Sequence, residues 1–196
     1  MEAIGIINAD SSIRRVLVVC PASLKINWTI ELRKWLTRPL TVGIATPSSW
    51  SETDCVVTNW DIADRLSARL RAETWDLAIL DECHRAKNPK AARTRATIGA
   101  EGRTKGKAPQ PADPGIPARR KLALSGTPLV NRPVELFPIL HWLDPATWPK
   151  FWPFGLRYCG GQQKSIGRGR LAWDFSGASH LDELSTRLRG TLLIRR

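Results

Sequence analysis

A chain of 196 residues, 42% of them hydrophobic, has the length and composition of one ordinary globular domain with a sizeable core. Its 30 Lys+Arg against 18 Asp+Glu leave a formal charge of +12, which favours polyanionic partners, nucleic acid first and an acidic membrane surface second. No apolar run approaches the roughly 18 residues of a membrane span, and the first residues lack the basic-then-apolar layout of a signal peptide, so a cytoplasmic protein is expected.

In chain order, VLVVC at 16–20, TVGIA at 41–45, CVVT at 55–58, LAILD at 77–81 and KLALS at 121–125 read as buried strands. Helix-like segments at 23–36 and 59–71 lie between them. Strand and helix alternate as in a parallel sheet covered on both faces, so an α/β three-layer fold is expected. Residues 100–118 (AEGRTKGKAPQPADPGIPA) carry Gly, Pro and Lys with almost no large apolar side chain and read as a mobile basic loop. The charge is concentrated around that loop, because residues 90–121 hold nine Lys+Arg and two Asp+Glu. An unstructured spacer and a dedicated DNA clamp are both open readings of it.

After the last strand, VELFPILHWLDP at 134–145 has helical spacing, and Trp148, Phe151, Trp152, Phe154 and Tyr158 then crowd together. Core packing of a helical appendage onto the sheet is expected of that cluster, rather than a base-stacking platform. Gly and Gln at 160–163 begin a second loop, and LDELSTRLRG at 181–190 reads as a last helix stopped by Gly190. The expected organisation is a lobe over 1–145 and an aromatic-rich helical extension over 146–196. The four cysteines, at 20, 55, 83 and 159, show no metal-ligand spacing and fit reduced thiols.

Ligands of parallel α/β sheets bind beyond the carboxyl ends of the strands, so polar residues there are the functional candidates. LAILD runs straight into Glu82, Cys83 and His84, placing the carboxylates of Asp81 and Glu82 and an imidazole at one strand end. An NTPase needs one carboxylate for hydrated Mg²⁺ and a second to orient or deprotonate the attacking water. An acidic turn after a strand is the plainer reading. KLALSGTPL at 121–129 ends likewise in Ser125, Gly126 and Thr127, a hydroxyl-rich turn with Pro128 behind it.

LVVCPASLKINW at 17–28, LDECHRAKN at 80–88 and LSGTPLVNRPVELFPIL at 124–140 resemble, in order, motifs Ia, II and III of the Swi/Snf-type ATPases of helicase superfamily two, with most likeness to bacterial members of the annealing-helicase-like branch. The aromatic stretch at 148–159 and the terminal LLIRR also resemble that branch, so the resemblance spans nearly the whole chain. It implies a RecA-like lobe. It also implies ATP and Mg²⁺ as cofactors and duplex or forked DNA as partner, with no membrane role. Asp81 would hold Mg²⁺ through water, Glu82 would be the catalytic base, and His84 would link the nucleotide site to Ser125, Gly126 and Thr127. Pro21, Ala22 and Ser23 would grip a DNA phosphate, as would Thr58 and Asn59 after their strand; Ser23 also reads as a helix N-cap. Asn59-Trp60 stands where the family usually has Ser/Thr-Tyr, and Cys83 where many relatives have Ala or Ser.

Members of this family begin the lobe with a strand and a Gly-rich GK[ST] loop that holds the β- and γ-phosphates, and no such triplet occurs here. Residues 2–7 resemble the helix that follows the loop, and Arg195-Arg196 the crossing into a second lobe that supplies arginine fingers. The expectation is a partial first ATPase lobe of a DNA-dependent translocase, inactive alone and weakly stable because the strand at 121–125 would lose a neighbour. A non-catalytic DNA-binding module and a non-functional truncated reading frame are the alternatives.

Overall fold

The structure, a computed structural model, describes residues 2–102, 112–126, 132–167 and 169–191. By its contacts the chain divides into a unit up to residue 128 and a unit from residue 129. The sequence reading drew its line at 145, after the helical spacing of 134–145 had ended.

The first unit runs α1 (Glu2–Ala9), β1 (Val16–Cys20), α2 (Lys25–Trp35), β2 (Val42–Ile44), β3 (Cys55–Asn59), α3 (Ser67–Ala72), β4 (Trp75–Leu80), α4 (Ala92–Ile98) and β5 (Ala118–Ala123). The five strands form one sheet in the order β2-β3-β1-β4-β5, every neighbouring pair parallel. Parallel strands cannot be joined by a tight turn, and α2, α3 and α4 return the chain to the starting edge in three of the four connections, while residues 45–54 join β2 to β3 without a helix. Val16, Val18 and Cys20 pack on one face with Ile4, Ile7, Leu32, Val57, Leu77 and Ile79. Leu17, Val19, Val56, Ala78 and Leu80 alternate to the other face and are equally buried. Burial on both faces is why these strands are continuous apolar runs, and the α/β layering expected of the alternation is the one observed.

Three expectations change in this unit. Residues 59–71 are not one helix: a 3₁₀ turn covers Trp60–Ile62 and α3 starts only at Ser67. The last strand begins at Ala118, earlier than its apolar part, because Arg119 and Arg120 extend it with exposed side chains. The basic loop also has a built stem. Ala100 and Asp113 exchange backbone hydrogen bonds of 2.9 and 2.8 Å, Ile116 N–H donates to the Thr97 carbonyl at 2.8 Å, and Arg71 Nη1 donates to Asp113 Oδ1 at 2.7 Å. Residues 103–111 of that reading lie outside the described residues.

The second unit holds α5 (Phe137–Leu143), α6 (Phe151–Tyr158), β6 (Gln162–Ser165), β7 (Leu171–Asp174) and α7 (Leu181–Thr191). Phe137, Leu140, Trp148, Phe154, Tyr158, Leu184 and Leu188 share a core, and Trp148 meets Phe154 edge-on at 5.7 Å between ring centroids. Trp148, Phe154 and Tyr158 of the aromatic cluster are therefore core in this unit and Phe151 packs against them, but Trp152 is exposed. Residues 160–163 do not simply open a loop: β6 and β7 form an antiparallel hairpin. Its first strand, QQKS, is exposed throughout and offers no apolar alternation to read. Gly190 lies within α7, not after it, so it does not stop the helix. The terminal LLIRR falls in residues 192–196, outside the described residues.

Candidate functional site

The sheet register aligns the carboxyl ends of four strands. Cys20 faces Asn59, Val19 faces Leu80, and Leu80 faces Ala123. The segments that follow, Pro21–Leu24, Trp60, Asp81–His84 and Leu124–Ser125, therefore share one edge of the sheet. This is the position at which parallel α/β sheets bind ligands.

Asp81 is tied to that edge by its N–H, which donates to the Val19 carbonyl at 2.8 Å. Glu82 then takes a left-handed conformation, φ 50 and ψ 52, which is costly for a residue with a Cβ and recurs at functional turns. The kink lets Cys83 N–H donate to the Leu124 carbonyl at 2.9 Å, so the acidic turn is stitched to the chain leaving β5. Glu82 Oε2 lies 3.1 Å from His84 Nδ1, and Ser125 Oγ lies 3.5 Å from the same nitrogen. The first is an ion-pair distance, and the second is a hydrogen bond at its outer limit of length. Glu82 and His84 side chains are 39% and 33% exposed, open enough for water to reach the carboxylate.

Two groups at this site escaped the sequence reading. Trp28 Nε1 donates to Asp81 Oδ2 at 2.7 Å, and Trp60 Nε1 donates to the Asp81 main-chain oxygen at 2.8 Å. Both indoles lie far from Asp81 in sequence, and no local spacing announces the contacts. Glu82 N–H donates to Asp81 Oδ1 at 3.0 Å. Each Asp81 oxygen thus spends one lone pair on the protein and keeps another. Among the described residues no three His, Cys, Asp or Glu side chains cluster into a cage. That donor set fits a hydrated Mg²⁺, which retains its waters and needs few protein oxygens. The phosphate side is different, because the sequence contains no Gly-Lys-Ser/Thr triplet.

Pro21–Leu24 forms a 3₁₀ turn closed by Leu24 N–H on the Pro21 carbonyl at 2.9 Å, with Ala22 and Ser23 exposed. Ser23 is not the helix cap: Leu24 occupies that position in α2, and no side chain caps it. Thr58 is fully buried and its hydroxyl donates to the Ala45 carbonyl at 3.4 Å, so it presents nothing to a ligand. Asn59 is 3% exposed, its Nδ2 donates to Asp61 Oδ2 at 3.4 Å, and its buried Oδ1 has no partner among the described residues. A Cβ added at Gly126 meets nothing within 4 Å among the described residues. Thr127 lies outside the described residues.

A family model described as the SNF2-related domain matches residues 4–158. The chain belongs to the SNF2-related family. The SNF2-related chain is 32% identical over 185 residues to the "SWI/SNF-related matrix-associated actin-dependent regulator of chromatin subfamily A-like protein 1" of Xenopus tropicalis, covering 92% of this chain and 18% of that protein. It is 29% identical over 206 residues to the human "DNA annealing helicase and endonuclease ZRANB3", covering all of this chain and 18% of that protein. The SNF2-related chain thus spans about a fifth of the length of these relatives. Its fold superposes on the Sulfolobus solfataricus SWI2/SNF2 ATPase core, solved in complex with dsDNA, with a TM-score of 0.69 and 20% identity, over 98% of this chain and 36% of that one. The RecA-like architecture implied by the motifs is therefore the observed one. No helix among the described residues of the SNF2-related chain is long and apolar enough to cross a membrane.

Proposed function

We propose that this chain is part of the first ATPase lobe of a DNA-dependent motor that couples ATP hydrolysis to movement on DNA. The observation that carries the reading is the convergence of Pro21–Leu24, Asp81–His84 and Ser125 on one sheet edge by strand register alone. Asp81 keeps a lone pair on each oxygen toward the waters of a bound Mg²⁺, which would supply charge neutralisation on the ATP phosphates. Glu82 is the base that takes the proton of the attacking water, and His84, 3.1 Å away, holds its carboxylate in place. Ser125 approaches His84 from β5's end and carries the coupling to the motif III turn. In the 3₁₀ turn Pro21 is buried and Leu24 N–H is spent on the Pro21 carbonyl, so exposed Ala22 and Ser23 offer their backbone N–H groups and the Ser23 hydroxyl to a DNA phosphate. Thr58 and Asn59 are buried and support the turn beside it rather than touching DNA.

With no GK[ST] triplet in its sequence, the isolated chain is inactive toward ATP, and hydrolysis belongs to the longer protein with its second lobe. Fusing a GK[ST] segment and a second lobe from a relative to this chain should create DNA-stimulated ATPase activity. Glu82→Gln should lower it by roughly 10²–10⁴-fold. Activity in the isolated chain that Glu82→Gln abolishes would refute the inactivity. A fusion that binds DNA but never hydrolyses ATP would favour a non-catalytic DNA-binding module instead.

A further inference from the structure

We infer that Trp28 and Trp60 are positioning residues for Asp81, Trp60 fixing its main chain and Trp28 transmitting DNA engagement to its carboxylate, an inference that rests on the motor reading above. Each indole follows a segment at the carboxyl edge of the sheet. Trp28 stands one turn into α2, directly behind the Pro21–Leu24 turn, and Trp60 follows Asn59 at the end of β3. An indole has one donor and no acceptor, and both donors here converge on one residue. They hold different parts of it. Trp60, fully buried, fixes the main-chain oxygen of Asp81, and Trp28, partly buried, holds carboxylate oxygen Oδ2.

The division of labour has a mechanical consequence. Asp81's backbone is pinned twice, through its N–H on Val19 and its carbonyl under Trp60, so it cannot follow a moving neighbour. Its carboxylate can rotate, and Trp28 is the only side chain among the described residues that donates to it. The Trp28 bond is 2.7 Å long and charge-assisted, hence strong and steep in distance. A shift of α2 by more than about 0.5 Å takes it past the ordinary limit of about 3.2 Å and frees Oδ2 to turn. A phosphate gripped at Pro21–Leu24 acts on the N-terminal end of that helix. DNA contact is thus one side chain removed from the metal-side carboxylate, and the signal stays within the first unit.

The test uses the chain carrying ¹⁵N-tryptophan and ¹³C-carboxyl aspartate, with short duplex DNA as the probe. Trp28→Phe and Trp60→Phe assign two of the nine indole signals, and Asp81→Asn assigns the carboxyl signal. Duplex should shift the Trp28 indole signal and the Asp81 carboxyl signal in the unaltered chain and leave the Trp60 indole signal in place. Trp28→Phe keeps the ring packing and lacks the donor. It should bind duplex within about twofold of the parent, a difference of about 0.4 kcal/mol, yet lose the Asp81 shift. Duplex that binds without moving Asp81, or that moves it equally in Trp28→Phe, overturns the inference and leaves the motor reading standing. Duplex that does not bind at all removes the motor reading and the inference with it. Should Trp60→Phe fail to fold, the outcome is decided on Trp28→Phe, whose side chain is only partly buried.

Discussion

Each of the four thiols sits where the charged form is disfavoured. Burial pushes Cys20, Cys55 and Cys83 up to about 12 and Cys159 to about 11, and the carboxylates of Asp81 and Glu82 add to the effect at Cys20 and Cys83. Thiolate is the reactive species, so the native chain should resist a thiol reagent at pH 8, and urea should release all four groups at once. A thiol pKa raised in the fold above its ordinary 9.0 contributes stability that is whole below pH 9 and is lost as pH climbs toward 12. Urea midpoints measured across that range should fall only on the alkaline side. Gly99 makes a second prediction. Its φ of +78 and an added Cβ only 1.9 Å from the Asp113 carbonyl oxygen leave no room for a side chain at the loop stem. Gly99→Ala should destabilise by about 1–3 kcal/mol in urea titrations. Gly5→Ala, in α1 with nothing within 4 Å of the added carbon, should stabilise by roughly 0.5–1 kcal/mol.

Elements buried on both faces announced themselves, and elements stabilised in other ways did not. The runs VLVVC, CVVT and LAILD were legible because a central parallel strand must be apolar at every position. The hairpin β6–β7 was not, since its residues are mostly exposed and its pairing is held by backbone bonds and by Lys164 against Asp174. The acidic turn was legible as a motif, but Trp28 and Trp60 lie 53 and 21 residues from Asp81 and meet it only in the folded sheet. In the second unit, α6 and α7 are clasped by a contact of the same non-local kind. Arg157 holds the Glu183 carboxylate bidentately, and Tyr158 Oη donates to Glu183 Oε1 at 2.8 Å. The Arg157 hydrogen bonds, then that of Tyr158, bring Glu183 down to about 2. A depressed carboxylate stabilises the fold above its ordinary 4.5, and that contribution disappears as pH falls toward 2. Near-ultraviolet circular dichroism of the Trp148 and Tyr158 environment should therefore lose intensity between pH 4.5 and 2. Glu183→Gln should already show the acid spectrum at neutral pH. An unchanged acid transition in that variant would assign it to other carboxylates.

At the scale of the whole molecule, the sheet ends on β5, which pairs with β4 on one side and with no other strand among the described residues. Unpaired strand edges template association between chains, and basic side chains on the edge oppose it. β5 carries Arg119, Arg120 and Lys121 in succession, so two copies meeting edge to edge would bring like charges together. Salt therefore acts oppositely on the two surfaces of this +12 chain. Raising salt from about 0.1 M to 1 M shortens the Debye length from about 10 Å to about 3 Å, which weakens phosphate binding and unmasks the strand edge. Sedimentation equilibrium should show self-association growing with salt while duplex affinity falls. The outward backbone donors can be located. Leu124 N–H donates to the Leu80 carbonyl at 2.8 Å, and alternate residues of a parallel strand point their N–H groups to opposite sides. Ala123 thus directs its N–H away from β4. Proline is tolerated at such a position and removes the donor that a second copy would use. Ala123→Pro should keep the chain monomeric at high salt with its duplex affinity unchanged. Association that persists in this variant would place the contact elsewhere on the molecule, and a wild-type chain that stays monomeric at every salt concentration would show that β5 offers no accessible edge.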